Sequence, residues 1–362
     1  MDKKLQHVCQ AFRIEGTYES YEEIKVGNVN RTYKVNFTHV DGNPKSYILQ
    51  AVNTYVFKKP IEVMENIDHV TEYIRARNPG KRALHFHHTE DRKTYVFDEN
   101  GFWRLFNYIP SATYNVGEKE SVVRNAGRAF GEFQMLLSDF PAEQLHVTIP
   151  DFHNTTKRYE KLLADVQADP CGKVALVREE IDWLLSVKEK ACLLMTLHEA
   201  GKLPLRVTHN DTKINNVLFD PETDEALVVI DLDTVMPGLV GADFGDAIRF
   251  AANCVEEDCP DTQKVAVNMD VFKAFTQGFL SQTAGMLTAE EIDTLALSAF
   301  VLATELAVRF LDDYILGSPY FKINYPEHNL VRARCQIALA KDMLAKLDEM
   351  EKIVRDCVRE YR

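Results

Sequence analysis

Two carboxylates and an amide are spaced so that a loop and a hairpin would bring them together. Asp211 stands in a polar loop before Asn216, and Asp231 follows a second apolar segment. Residues 217–219 and 227–230 are β-branched or large apolar runs separated by turn-forming residues, which predicts an antiparallel hairpin. The amide and one carboxylate would then hold Mg²⁺. The other carboxylate would orient or deprotonate a hydroxyl, as phosphoryl transfer requires.

The alternative for this stretch is a solvated hairpin whose loop is merely polar. Four spaced polar positions within a strand–turn–strand context favour the catalytic interpretation. His209, two residues before Asp211, lies beside an apolar segment. We expect it to hold the loop through a backbone hydrogen bond rather than to carry a proton.

The pattern His209-x-Asp211-x-x-x-x-Asn216, followed by Ile230-Asp231, resembles the aminoglycoside phosphotransferase and choline kinase superfamily, the small-molecule branch of the protein-kinase-like fold. Further segments resemble the bacterial N-acetylhexosamine 1-kinases, and the likeness extends from the N-terminal strands nearly to the C-terminus. These segments are 233–238, 243–250, 309–314, 320–322 and 328–332. The resemblance implies an Mg²⁺-dependent kinase that transfers the γ-phosphate of ATP to the anomeric hydroxyl of N-acetylglucosamine or N-acetylgalactosamine.

The expected fold class is α+β, a two-lobed protein-kinase-like fold. The N-lobe, residues 1–109, is predicted to be a small antiparallel sheet with one helix that binds nucleotide. The C-lobe, residues 110–362, is predicted to be mostly helical and to carry the catalytic loop, the metal site and the sugar site. We place the boundary near Pro110, where a predicted hairpin runs into a looser segment.

A loop with one glycine between two predicted strands is a candidate phosphate loop, although an ordinary hairpin explains it equally well on its own. The resemblance makes Gly27, Asn30 and Thr32 its nucleotide-binding positions. Gln50 stands where the kinase fold usually has a lysine. A neutral amide can bond a phosphate but cannot neutralise it, so Arg31 is a candidate for the missing charge.

The segment before Pro110 would form the hinge of a kinase-like fold. The resemblance implies that backbone groups near Asn107 and Ile109 read the adenine base. Glu65, on the predicted helix that starts at Pro60, would be the usual partner of the missing lysine. A surface carboxylate is an equally good interpretation of Glu65.

Four residues are candidates for the acceptor site. Arg309 offers a guanidinium fork for hydroxyls or a developing phosphate, Tyr320 offers a ring to stack on a sugar, and Asn28 would close over the sugar. Asp243 has two open interpretations: it complements the dipole at the start of a helix, or it turns its carboxylate towards a sugar hydroxyl or anchors the catalytic loop. For the charged stretch around Arg309, the alternative is a solvated helix face.

Composition limits the partners. The 362 residues carry a net charge of −13, which argues against nucleic acid or an anionic membrane as the main partner. Seven scattered cysteines with no C-x-x-C pair predict reduced thiols in a cytoplasmic protein, and no segment reads as a secretory signal or a bilayer span. We expect a nucleotide and a small sugar as ligands, and a monomer or weak homodimer.

Two rival functions stay open at this point. One is the same chemistry on choline, an aminoglycoside or another alcohol, for which an aromatic or acidic cage would be needed if the acceptor is cationic. The other is a catalytically dead kinase-like binding module, which the absent lysine favours. Retention of Asp211, Asn216 and Asp231 together argues against the dead module.

Overall fold

A five-stranded antiparallel sheet forms the N-terminal part of the computed structural model, which describes residues 1–25, 29–80, 83–115 and 119–362. The strand order is β1-β2-β3-β5-β4. Two helices accompany the sheet. In chain order the elements are α1 (Asp2–Gln10), β1 (Thr17–Ile24), β2 (Arg31–Thr38), β3 (Pro44–Ala51), α2 (Pro60–Arg77), β4 (Val96–Asp98) and β5 (Gly101–Asn107).

Alternation along the strands gives the sheet two different faces, because successive side chains point to opposite sides. Tyr33 and Val35 of β2 lie on one face and pack with Leu5 of α1 in a small apolar core. The other face presents a polar row in register across three strands. That row consists of Thr32, Gln50 and Arg104.

The rest of the chain is mostly helical, with two short two-stranded sheets, β6 with β9 and β7 with β8. Its elements are α3 (Glu120–Leu136), α4 (Thr155–Ala168), α5 (Arg178–Ser186), α6 (Lys188–Ala191), α7 (Leu193–Glu199), β6 (Arg206–Thr208), β7 (Val217–Phe219), β8 (Ala226–Val229), β9 (Met236–Gly238), α8 (Val240–Ala251), α9 (Met269–Thr283), α10 (Ala289–Ile315), α11 (His328–Ala345) and α12 (Leu347–Tyr361).

The predicted two-lobed fold class is confirmed, whereas the boundary near Pro110 stays a prediction. Residues 174–199 divide into a 3₁₀ turn and α5 to α7, and the chain divides at Lys346 between α11 and α12. Helix α10 is long and apolar enough to cross a membrane by length and composition, but 94% of that window is buried inside the protein. It is the central core helix of the C-terminal part.

Helices α3 and α9 approach so closely that glycine is needed where they touch. A Cβ added at Gly131 would lie 2.6 Å from the Phe279 carbonyl oxygen, and one at Gly278 would collide with the backbone of Arg124. This close packing matters for the site, because α3 also carries Phe133, which packs against the ring of His209.

We predict that Gly278→Ala lowers the free energy of unfolding by about 1–3 kcal/mol, since the added methyl must push two helix backbones apart. Alanine normally favours a helix over glycine, so a neutral or stabilising result in urea denaturation would contradict the close approach. Gly285→Ala is the matched control, because a Cβ there meets nothing within 4 Å.

Candidate active site

The predicted hairpin forms and brings the three polar groups together. Val217 pairs with Val229, and the Ile230 N–H donates to the Asn216 carbonyl at 2.8 Å. The Asn216 amide nitrogen donates to the Asp211 carbonyl oxygen at 2.8 Å and to its Oδ2 at 3.1 Å. Asp231 follows directly after Ile230. The loop and hairpin therefore converge as the spacing indicates, while the catalytic and metal roles stay predictions.

His209 holds this loop from inside the protein. Its side chain is fully buried, its Nε2 lies 2.8 Å from the Ile230 carbonyl oxygen, and its Nδ1 accepts from the Asp211 N–H at 3.2 Å. Nε2 must donate to a carbonyl, so the ring is neutral with its proton on Nε2. Both nitrogens are occupied by backbone groups, which agrees with the structural role expected for this residue.

Asp243 anchors the catalytic loop from within the protein core. It is 2% exposed. Its carboxylate accepts from the backbone N–H of His209 at 2.9 Å and of Asn210 at 2.7 Å, and from the Gln134 amide at 2.7 Å. Burial raises its pKa, although these donors oppose the rise. The predicted substrate contact of Asp243 is therefore wrong, because its oxygens are already used within the protein core.

The donor set around Asp231 fits Mg²⁺. Asn216 uses its amide nitrogen on Asp211, which leaves the amide oxygen for a cation. Asp231 is accessible to solvent, and no described residue donates a hydrogen bond to its carboxylate. In the described ranges no cluster of three or more His, Cys, Asp or Glu could hold a metal. An amide, one carboxylate, water and phosphate oxygens suffice for Mg²⁺, which rarely takes an all-protein cage.

Asp231 also sits in an unfavourable environment for a carboxylate without a cation. The surrounding protein reduces its solvation, the charges of Asp233 and Asp211 add repulsion, and together they raise its pKa to about 6. Its backbone is left-handed, with φ of 60°, a conformation that costs energy for a residue other than glycine. Strain and charge repulsion at one residue are typical of a functional position.

Lys213 is a site residue that the sequence interpretation missed. Its ammonium lies 2.8 Å from Asp211 Oδ1. Burial opposes its charge, but Asp211 and the nearby Asp246 outweigh that effect and raise the pKa of Lys213. The available signal was a lysine two residues after the candidate base, in the same loop. Lys213 thus places a positive charge beside Asp211.

Three of the nucleotide-binding candidates take part in hydrogen bonds within the protein. Asn30 donates to Asp233 Oδ2 at 2.6 Å, so the start of β2 contacts the acidic segment after β8. Gln50 donates to Thr32 Oγ1 at 3.0 Å. Arg31 is exposed at the start of β2. The nucleotide candidate Gly27 and the acceptor candidate Asn28 lie outside the described residues.

The two hinge candidates lie at the end of β5, where Asn107 is its last residue, and just after it. The side chain of Asn107 accepts from the His85 N–H at 2.8 Å, and the carbonyl of buried Ile109 accepts from the Ser111 hydroxyl at 2.9 Å. The Asn107 side chain therefore fixes the hinge to the neighbouring chain. Recognition of adenine by the backbone here stays a prediction.

Arg309 lies in an aromatic setting on α10. Its guanidinium carbon is 5.4 Å from the Phe321 ring centroid and 6.0 Å from that of Phe152. Tyr320 is 72% exposed and packs its ring edge-on against Phe321. Asp313, on the last turn of α10, fixes this loop by accepting from the backbone N–H groups of Tyr320 and Phe321. Arg309 and Tyr320 are thus brought together.

A buried ion pair connects α10 to the catalytic loop. His153 lies 2.9 Å from a Glu305 oxygen through Nδ1 and 3.2 Å from the Asn210 carbonyl through Nε2. Both partners are acceptors, so both ring nitrogens carry protons. Burial opposes this charge, but Glu305 outweighs it and raises the pKa of His153. Because Phe152 precedes His153, the Arg309 cluster lies beside the loop that carries Asp211.

The charged stretch of α10 is therefore not a solvated face. Glu305 is fully buried, and Asp312 and Asp313 are 7% and 4% exposed. Asp312 pairs with Lys161. These acids serve the internal structure, contrary to the surface alternative for this helix.

One cavity of about 380 Å³ lies elsewhere, between α2, α3 and β8. It contains none of the predicted site residues. Cavity volume alone would therefore have pointed away from the convergence of Asp211, Asn216 and Asp231.

Comparison with known proteins agrees with this geometry. The family model described as the phosphotransferase enzyme family matches residues 20–265, and the chain belongs to that family. It is thus a member of a phosphotransferase family, with a kinase-like fold.

Solved structures show the same fold at low identity. An aminoglycoside phosphotransferase from Alicyclobacillus acidocaldarius superposes with a TM-score of 0.64 at 13% identity, covering 97% of this chain and 96% of that one. A microcompartment-associated aminopropanol kinase gives 0.60 at 17%, covering 95% and 98%. A spectinomycin phosphotransferase in complex with ADP and spectinomycin gives 0.55 at 12%, covering 96% and 99%. Identities this low establish the fold and not the acceptor.

We predict that Asp243→Asn lowers the free energy of unfolding by about 1–3 kcal/mol, because the amide can no longer accept from every donor around it. Turnover should fall with stability, while the KM of the acceptor changes little. Urea denaturation and steady-state kinetics measure the two effects. A variant of wild-type stability with only a raised acceptor KM would restore the substrate-contact interpretation.

Proposed function

We propose that this protein transfers the γ-phosphoryl group of ATP to the anomeric hydroxyl of N-acetylglucosamine or N-acetylgalactosamine, giving the sugar 1-phosphate. Membership of the phosphotransferase family supports the reaction class. The acceptor part of the proposal depends on one observation: the partly buried Arg309 guanidinium lies against the rings of Phe152 and Phe321, next to the exposed ring of Tyr320.

Each member of the convergent group has a role in this reaction. Asp211 orients the sugar hydroxyl and accepts its proton as the bond to phosphorus forms. Lys213, held 2.8 Å from Asp211, supplies a positive charge where the transferred group develops negative charge. Asn216 and Asp231 would hold Mg²⁺, which would offset the negative charge of the phosphates.

The charge of the acceptor region supports a neutral acceptor over a cationic one. Arg158 lies near Arg309. Burial of Arg158 and the positive charge of Arg309 together lower the pKa of Arg158. The carboxylate of Glu305 is already matched by His153. Choline or an aminoglycoside would meet the guanidinium groups of Arg158 and Arg309, which oppose a cation electrostatically, with the Asp151 carboxylate on the Arg158 side.

A neutral N-acetylhexosamine fits the same surroundings. Arg309 can donate to ring hydroxyls or to the forming phosphate, and the rings of Tyr320 and Phe321 offer flat apolar faces for the sugar. A site built to pair hydroxyls discriminates strongly, because a missing partner leaves a polar group unsatisfied.

The direct experiment is ³¹P and ¹H NMR of products formed from ATP, Mg²⁺ and each N-acetylhexosamine, beside choline, ethanolamine and an aminoglycoside. We expect phosphate on the anomeric oxygen of the sugars. Phosphate on the 6-hydroxyl would overturn the regiochemistry, and turnover of an amine acceptor alone would assign the rival acceptor class. Nucleotide binding without turnover of any acceptor would support the dead binding module.

We predict that Arg309→Ala lowers kcat/KM for the sugar about 10-fold or more, about 1.4 kcal/mol per decade, with the KM of ATP little changed. The loss arises because ring hydroxyls or the forming phosphate lose a guanidinium donor. Arg355→Ala, an exposed arginine on α12, is the matched control. An equal rise in the KM of ATP would move Arg309 from the acceptor site to the nucleotide site.

A further inference from the structure

The polar row of Thr32, Gln50 and Arg104 on the N-lobe sheet is a continuous chain of hydrogen bonds. Gln50 on β3 donates to Thr32 of β2 at 3.0 Å. The Arg104 Nε on β5 donates to Gln50 Oε1 at 2.9 Å. The guanidinium of Arg104 then pairs with Asp233, two residues after Asp231. The row thus leads from the neighbourhood of the phosphate loop to the acidic segment of the hairpin.

Arg104 is a deeply buried cation at a place where the fold needs one. The side chains of Arg104 and Asp233 are each 3% exposed. Taking charges out of water is expensive, so a buried arginine of this kind persists only with a matched anion and good hydrogen bonds. Asn30 completes the cluster: it donates to Asp233 Oδ2 at 2.6 Å and accepts from the Asn53 N–H at 2.9 Å.

The helix carboxylate expected to pair with the missing lysine is engaged elsewhere. Glu65 on α2 lies 2.8 Å from His146 Nε2, in an exposed pair. Helix α2 is instead fastened by the buried Asn66, whose amide donates to the Val235 carbonyl at 2.9 Å. Glu65 therefore supplies no ion pair to β3 among the described residues.

We propose that Arg104 replaces the missing β3 lysine as the positive charge of the nucleotide site, acting as a positioning residue through Asp233. One step across the sheet from Gln50, it provides a cation beside Asp233 and near Asp231, and it holds the acidic segment against the N-lobe sheet. Lys213 is the cation beside Asp211, so without Arg104 the carboxylates of Asp231 and Asp233 would repel each other and the phosphates. Arg31, exposed at the start of β2, is not needed for this role.

This inference rests on nucleotide binding by the proposed phosphotransferase, but not on the identity of its acceptor. The readout is therefore the Kd of Mg²⁺ and a non-hydrolysable ATP analogue, measured by isothermal titration calorimetry. A wild-type protein that does not bind the analogue would count against the proposed function itself. If the wild-type protein binds the analogue, the Arg104 variants test the role of Arg104 on their own.

We expect Arg104→Gln to weaken analogue binding about 10-fold or more, and Arg104→Lys to recover part of the loss. Lys45→Gln removes an exposed cation from the opposite end of β3 and should leave the Kd unchanged. Arg31→Gln should cost clearly less than Arg104→Gln. Unchanged binding by folded Arg104→Gln, or a larger loss in Arg31→Gln, would overturn the proposal.

The double variant Gln50→Lys/Arg104→Gln places the positive charge on β3. It distinguishes the effect of that charge on analogue binding from the effect of Arg104 packing. If the buried positive charge is what nucleotide binding needs, the double variant binds more tightly than Arg104→Gln. Should Arg104→Gln alone fail to fold, the double variant restores a cation to Asp233 and carries the test. A folded double variant that does not bind the analogue, or one that cannot fold at all, would contradict the proposal that a cation on β3 can take the place of Arg104.

Discussion

The buried carboxylate of Asp243 fixes the conformation of the catalytic loop. It accepts from two successive backbone N–H groups, those of His209 and Asn210, at 2.9 and 2.7 Å. Bonds from backbone donors to a carboxylate are among the stronger hydrogen bonds in proteins. With His209 bonded to the Ile230 carbonyl, the loop is tied both to α8 and to the hairpin. The positions of Asp211 and Asn216 follow from these two ties.

Charge is distributed unevenly on the two sides of that loop. On the side proposed for the nucleotide, Arg104 pairs with Asp233 and lies near the Asp231 carboxylate, a setting that suits a metal ion with phosphates. On the side proposed for the acceptor, His153 matches Glu305, and the Arg309 guanidinium lies over the Phe321 ring. The difference is physically consistent with a triphosphate on one side and a neutral polyol on the other.

The convergence of Asp211, Asn216 and Asp231 could be predicted because hairpin pairing is local. The contact of Gln50 with Arg104 could not, since it joins strands 54 residues apart and depends on sheet register. Asp243 was ambiguous because a loop anchor and a sugar ligand require the same side chain. Its contacts depend on burial against α3, where the Gln134 amide donates to its carboxylate. A tertiary contact of this kind leaves no periodic pattern in the sequence.

The most direct measurement of the central claim is the single-turnover rate of Asp211→Asn, at saturating Mg²⁺, ATP and N-acetylglucosamine, with analogue affinity measured on the same samples. The account predicts a rate about 10²–10⁴ lower, the usual contribution of a positioned general base, with nucleotide binding nearly unchanged. Asp139→Asn, an exposed aspartate, should keep the wild-type rate. A near-wild-type rate in Asp211→Asn would contradict the account.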